Sequence, residues 1–322
     1  MIPLAEIEAA AHHVYAAMAP TPQYAWPLLG RRAGREVWVK HENHTPTGAF
    51  KVRGGLNLLA ALAADGVAAG AAAGIVSATR GNHGQSLAYA ARRRGVRCVI
   101  VVPFGNSPGK NDAMRAFGAE LIEFGRDFDE ARLHAADIAE CEGLRFIGPF
   151  ARELVAGVAT YALELFRAVP GLATVYVPVG CGSGICGLIS ARDALGLSTA
   201  IVGVVSTQAN AYAQSFAARR PVETATANTI ADGMAVRVPV PAALDVICRG
   251  AARIVEVTDA EVEDAMRVAF ADTHHVAEGA GAAPIAALLK EGARAGAKAA
   301  VIMSGGNVDR DVYARVLSAG WT

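Results

Sequence analysis

The chain has 322 residues, with 30 basic (Lys and Arg) and 30 acidic (Asp and Glu) side chains and 53% hydrophobic residues. That length suits two lobes around one site or one large α/β unit, and a net charge near zero gives no electrostatic case for a nucleic-acid or acidic-membrane partner. Five scattered cysteines, Cys98, Cys141, Cys181, Cys186 and Cys248, suit buried thiols in a reducing cytoplasm better than a disulfide framework.

Met1 to Pro20 places Glu6 and Glu8 among alanines, with no basic region followed by an apolar core, so no secretory signal is read. Val37-Trp38-Val39 is the first short β-branched run, and it leads into Lys40-His41-Glu42-Asn43-His44-Thr45-Pro46-Thr47-Gly48-Ala49-Phe50-Lys51. Lys51 thus follows an aromatic residue at the end of a turn rich in Thr, Pro and Gly. A lysine that bonds an aldehyde cofactor needs such a setting, held and partly desolvated. A solvated lysine after a turn is the commoner outcome for the segment taken alone.

Further along, the weakly apolar run Gly66–Ala78 is mostly Ala and Gly, too short and too weak to span a bilayer. Buried strands are expected at Gly74–Ser77, Val99–Val102, Leu121–Phe124, Val175–Val179, Ile201–Val205 and Ala299–Met303. Between them Gly84–Arg94, Lys110–Phe117 and Glu261–Ala271 repeat their apolar residues at helical spacing. Strand–helix alternation argues for mainly parallel sheets covered by helices on both faces. Residues 53–146 hold their own alternating set, so a small mobile domain is expected inside a large one made of 1–52 and 147–322.

Three glycine-rich turns follow strands. Val179-Gly180-Cys181-Gly182-Ser183-Gly184-Ile185-Cys186-Gly187 precedes a helical stretch, Leu188–Leu195. Small residues there let backbone N–H groups approach a phosphate, and the helix dipole favours its charge. The Gly-Lys-Ser/Thr ending of a nucleotide loop is absent, and Val205–Asn210 lacks the carboxylate of a dinucleotide fingerprint. A tight turn packing strand on helix is the plain alternative. Ser77-Ala78-Thr79-Arg80-Gly81-Asn82-His83-Gly84-Gln85 offers N–H groups and hydroxyls to a carboxylate, although Thr79 or Asn82 alone would more often be a helix cap. Met303-Ser304-Gly305-Gly306-Asn307-Val308-Asp309 closes the set.

In order and spacing these segments resemble the fold type II family of pyridoxal-phosphate enzymes, tryptophan synthase β-like in architecture, and within it the serine/threonine dehydratase and serine racemase branch. Thr229-Ile230-Ala231-Asp232-Gly233 adds a secondary match. The resemblance implies pyridoxal 5'-phosphate as cofactor, an amino acid as substrate and a homodimer. By the same implication Lys51 is the Schiff-base lysine and the base toward the substrate Cα proton, with Phe50 packed on the cofactor ring. Gly180, Cys181, Gly182, Ser183 and Gly184 would hold the phosphate, Asn82 the ring's phenolic oxygen, and Glu278 would lie near the cofactor. Ser77 and Thr79 would take the substrate carboxylate, with Arg80, His83 and His44 as further substrate contacts. Ser304 would meet the pyridine nitrogen. A serine does not force that nitrogen to stay protonated, so the ring is a weak electron sink, and loss of a β-substituent is favoured over transamination. The cofactor phosphate is the implied proton donor to the departing hydroxyl.

Departures from the family pattern narrow the reading. Arg80 stands where a small residue, often a racemase serine, is usual; it would pair with a second substrate carboxylate or simply turn outward. Val205 and Ala211 occupy the two carboxylate positions of the branch's divalent-cation site, so no metal is expected there. His44 and His41 flank the lysine turn, and His274 and His275 precede Glu278, which Gly279 follows in place of the usual proline. Only residues 310–322 follow the last motif, so an appended regulatory domain is not expected. The expectation is a dehydratase (ammonia-lyase) acting on a β-hydroxy-α-amino acid, serine or threonine by default, with phenylserine or hydroxyaspartate as variants. A β-replacement synthase and a non-catalytic cofactor-binding protein are the alternatives.

Overall fold

Segments of Val, Ile and Ala without polar alternation can be buried only if both faces of their sheet are covered. The computed structural model, which describes residues 1–64 and 73–320, uses them in this way. Its strands are β1 (Gln23–Ala25), β2 (Glu36–His41), β3 (Ile75–Ala78), β4 (Cys98–Val102), β5 (Glu120–Glu123), β6 (Arg145–Phe146), β7 (Thr174–Pro178), β8 (Ala200–Ser206), β9 (Arg253–Val257) and β10 (Lys298–Met303). One sheet runs β1-β2-β10-β7-β8-β9 and the other β5-β4-β3-β6. Only the β1–β2 pair is antiparallel among the described residues. The architecture is α/β with two mainly parallel sheets, and the smaller sheet is drawn wholly from residues 75–146. No helix among the described residues is long and apolar enough to cross a membrane, and the run 66–78 falls partly outside those residues.

Every strand expected from the sequence is present. β1, β6 and β9 were not foreseen: the first two have three and two residues, and β9, with the sequence RIVEV, mixes charges into its pattern. All three are edge strands, where half the backbone faces away from the ladder and apolar patterning is weak. The N-terminal helix Leu4–Tyr15 packs on the long helix Arg152–Ala168. Val14 and Met18 join a core with Leu56, Leu87 and Ile100 beside the smaller sheet.

Lys40 of β2, Glu42 of the turn after it, Arg53 of the helix Lys51–Ala64 and Glu164 of the helix Arg152–Ala168 form a buried ion cluster. The Arg53 guanidinium is wholly buried; its Nε donates to Glu42 Oε2 at 2.7 Å and its Nη1 to Glu164 Oε1 at 2.7 Å. Lys40 Nζ, also buried, donates to Glu164 Oε2 at 2.5 Å and to the Thr21 carbonyl at 2.7 Å. Thr160 Oγ1 accepts from Arg53, and Thr21 Oγ1 donates to Glu42. Burial works against the charge on Glu164, but Arg53 and Lys40 outweigh it and hold the carboxyl below its ordinary range. Two cations thus face two carboxylates with their hydrogen bonds met. Removing one partner leaves an uncompensated charge in a dry interior. Arg53→Ala is therefore expected to lower the unfolding free energy by about 3–5 kcal/mol, read as a fall in the urea midpoint at unchanged slope.

Candidate active site

The lysine turn is built by its own side chains. Thr45 Oγ1 accepts from the Ala49 N–H at 2.9 Å and donates to the Ala49 carbonyl at 2.8 Å. Gly48 has φ +68°, and a Cβ there would lie 2.5 Å from Asn307 Oδ1, so both conformation and space call for glycine. The Phe50 N–H donates to the Ser304 carbonyl at 3.0 Å, and Ala49 pairs with Gly305. The turn is thus stitched to the segment after β10, which brings the first and last sequence motifs together.

Lys51 opens the helix Lys51–Ala64 and points its amine at the second glycine turn, Nζ donating to Ser183 Oγ at 3.1 Å. The amine sits 5.3 Å from the centroid of the Phe50 ring. Burial lowers its pKa, with Cys181 pulling slightly the other way. A neutral amine is a nucleophile and a base; an ammonium is neither.

The turn Gly180–Gly182 links β7 to the helix Ser183–Ala194. Its first two glycines answer to packing: a Cβ on Gly180 would meet the Gly233 carbonyl at 2.2 Å, and Gly182 has φ +96° with Ala243 close by. The helix start leaves its first N–H groups without intrahelical partners, beside the buried Ser183 hydroxyl. Small size here serves the chain's own packing, while the N–H groups and hydroxyl after it can take an anion.

In the turn after β3, Thr79 Oγ1 accepts from the Gly81 N–H at 3.0 Å. Asn82 Nδ2 donates to Glu278 Oε1 at 2.6 Å, and its Oδ1 accepts from Asn307 Nδ2 at 2.9 Å. His83 Nε2 is buried with no partner. Burial, aided by Lys51, pushes the His83 pKa down to about 3 while the Gly148 backbone opposes it, so the ring is neutral. Ser304 is buried, and its hydroxyl makes no hydrogen bond within the described residues.

A cavity of about 610 Å³ is bounded by Phe50, Lys51, Thr79, Arg80, Asn82, His83, Gly180 to Gly184, Glu278 and Ser304. Two residues from the sequence reading lie elsewhere. Ser77 is fully buried and gives its hydroxyl to the Ile147 carbonyl at 2.7 Å, because as a β3 residue it points into the sheet packing. His44 does not line the cavity; it stands with His41 and His275 at ring-centroid separations of 4.4–5.2 Å. Its turn doubles back after β2, carrying the ring away from Lys51.

Lys110 and Asp232 belong to the cavity wall, and Lys110 had no local signal. It comes from the helix Pro108–Ala116 beside the smaller sheet, and its Nζ reaches Asp232 Oδ2 at 2.5 Å and Glu278 Oε2 at 3.5 Å. Burial opposes the Lys110 charge, but Glu278 and Asp232 outweigh it and hold the amine above its ordinary range. Glu278 is pushed up to about 7, first by burial and then by Asp232, against Lys110 and Asn82.

A covered lysine whose pKa burial lowers, an anion-ready helix start, a neutral histidine with a free nitrogen and a serine with a free hydroxyl suit a ligand with an aldehyde, an anionic tail and a ring heteroatom. Two mainly parallel sheets with this cavity at their strand ends fit the class of pyridoxal-phosphate enzymes. The family model for "Pyridoxal-phosphate dependent enzyme" matches residues 14–305, and the chain belongs to that family. It is 33% identical over 294 residues to L-threonine ammonia-lyase of Thermotoga maritima, covering 91% of this chain and 72% of that protein. It is 32% identical over 326 residues to the catabolic L-threonine dehydratase TdcB of Staphylococcus aureus, covering 99% and 93%. Maize serine racemase superposes with a TM-score of 0.91 at 27% identity, covering 97% of this chain and 96% of that one.

Glu278 supplies a pH signature. Its raised pKa makes a stabilising contribution that is complete below about 4.5 and is lost as pH climbs through about 7. In cofactor-free protein, wild type should lose roughly 3 kcal/mol relative to Glu278→Gln between about pH 4.5 and 7 and little more above it. Urea midpoints of the two proteins across that range measure the difference.

Proposed function

We propose that this enzyme is a dehydratase, or ammonia-lyase, that converts a β-hydroxy-α-amino acid to a 2-oxo acid and ammonia. The observation that carries the reading is the buried Lys51 amine, its pKa lowered by burial, 3.1 Å from Ser183 at the start of the anion-ready helix. Names of relatives support the reaction type: L-threonine ammonia-lyase and L-threonine dehydratase.

When bound, pyridoxal phosphate supplies the electron sink that makes the substrate Cα–H acidic. The chain's part is to place and hold. Lys51 Nζ would hold the cofactor aldehyde, and its amine would serve as the base toward the substrate Cα proton. Ser183 and the helix N–H groups would hold the phosphate, Phe50 would pack on the ring, and Asn82 would donate toward the phenolic oxygen. Ser304 would face the pyridine nitrogen as a neutral group; with no carboxylate to hold a proton on the ring, departure of the β-hydroxyl as water would be favoured over transamination. Thr79 and the N–H groups of its turn receive the substrate carboxylate. The small domain, 53–146, closes over the substrate as a unit, the enzyme is a homodimer, and it works in the cytoplasm.

Serine and threonine are the default substrates, and the apolar wall of Phe128, Val236 and Val238 gives room for a bulkier one such as phenylserine. A hydroxyaspartate-type substrate is a second reading favoured by one observation. Arg80 and Arg132 both line the cavity, both are exposed, and neither makes an ion pair within the described residues.

Lys51→Ala is expected to abolish the visible imine absorbance and to cut 2-oxo acid release by at least about 10³-fold. Retention of both band and turnover would remove the central assignment. A panel of serine, threonine, phenylserine and hydroxyaspartate, assayed by ammonia release, ranks the substrates. If hydroxyaspartate leads, Arg80→Ser should lower its kcat/KM by roughly 10- to 100-fold and leave threonine nearly unchanged.

A further inference from the structure

The histidines flanking the lysine turn have no task in the reaction proposed above. His41, the last residue of β2, is fully buried; His44 follows it in a 3₁₀ turn and is exposed; His275 lies in the loop before the helix Gly279–Glu291. One ring nitrogen from each lies within 4.8 Å of the other two. The centroids are 4.4, 4.8 and 5.2 Å apart, and the His41–His275, His44–His275 and His41–His44 ring planes are tilted by 44°, 41° and 43°. Three imidazoles sharing one tetrahedral ion at about 2.0–2.1 Å would hold their centroids roughly 5 Å apart. The rings are therefore near the spacing of a metal triad.

Outer hydrogen bonds set the ring tautomers. His275 Nδ1 meets the Thr273 carbonyl at 2.5 Å, which makes that nitrogen the donor and leaves Nε2 with its lone pair. His41 Nδ1 faces Asn43 Oδ1 at 3.3 Å, and Asn43 is oriented by its own bond to the Val276 carbonyl. His41 Nε2 then accepts, here from Trp26 Nε1–H at 2.9 Å. His44 uses neither ring nitrogen in a hydrogen bond among the described residues. Metal-binding histidines are commonly held by just such carbonyl contacts on the far nitrogen.

We propose that His41, His44 and His275 form a binding site for one divalent cation of the zinc class, through Nε2 of His41 and His275 and one nitrogen of His44, with the fourth position open to solvent. The ion displaces the Trp26 N–H from His41. It joins the segment seven residues before Lys51 to the loop three residues before Glu278, and so acts as a staple beneath the cavity. The site is separate from the positions of Val205 and Ala211 and uses nitrogen rather than oxygen ligands.

The test uses tag-free holoenzyme stripped of metal by chelating resin and titrated with Zn²⁺ and Co²⁺. Expected are one Zn²⁺ per chain with micromolar or tighter affinity, and a midpoint of thermal unfolding raised by about 5 °C at saturating zinc. His44→Ala and His275→Ala should each weaken binding at least about 30-fold, while His12→Ala on the N-terminal helix changes nothing. Trp26→Phe, which removes the competing N–H, should tighten binding and abolish the part of the Co²⁺ quenching of tryptophan emission that arises at residue 26. No binding at about 100 µM zinc, or binding unchanged in both His44→Ala and His275→Ala, overturns the site.

Discussion

The Glu42–Arg53 ion pair is the constraint on which the site depends. Its two members are eleven residues apart and bracket the whole turn that ends in Lys51. Pairing them in a dry interior closes that loop from behind, while Glu164 from the helix Arg152–Ala168 ties the closure to the large sheet's helical layer. A buried pair of this kind contributes little net stability against an apolar replacement, because desolvation offsets most of the attraction. What it contributes is position. Glu42 and Arg53 have one arrangement in which every charge is met, and that arrangement sets where residues 43–52 can run.

The front of the same turn is held by hydrogen bonds to the segment after β10, the Phe50 N–H donating to the Ser304 carbonyl and the Gly306 N–H to the Gly48 carbonyl. Lys51 is therefore fixed from two sides by elements that are remote in sequence. A third set of contacts crosses the cleft: Lys110 to Asp232 and Glu278, Asn82 to Glu278 and Asn307, and Ser107 to Asp309. These join the turns around the smaller sheet to the larger one with polar groups on the cavity side, while Val14, Met18 and Leu154 join the two parts through apolar packing away from it.

Legibility in the sequence followed locality. The strands with unbroken apolar runs, and the turns at Gly180, Thr79 and Ser304, were readable because strand, turn and helix start are contiguous. Lys110 was not, since its partners lie 122 and 168 residues away and a lysine in a helix carries no mark of its pairing. Arg53 was passed over for the same reason. Ser77 shows a different failure: its hydroxyl sits in the right motif, but the two-residue period of β3 turns it toward Ile147. His44 was read as a substrate contact from its nearness to Lys51 along the chain, yet the 3₁₀ turn at 42–44 carries it toward His275.

One physical cause gives the cavity wall its chemical character. Removal from water raises the cost of any unpaired charge, whatever its sign. It moves Lys51 and His83 toward their neutral forms by lowering their pKa values and moves Glu278 toward its neutral form by raising its own. Lys110 keeps its charge only because two carboxylates surround it. The wall thus combines groups that burial moves toward neutrality with one cation, Lys110, held charged by its carboxylate partners. The burial that isolates the lysine is thus also what shifts its neighbours toward their neutral forms, on a turn pinned by Arg53.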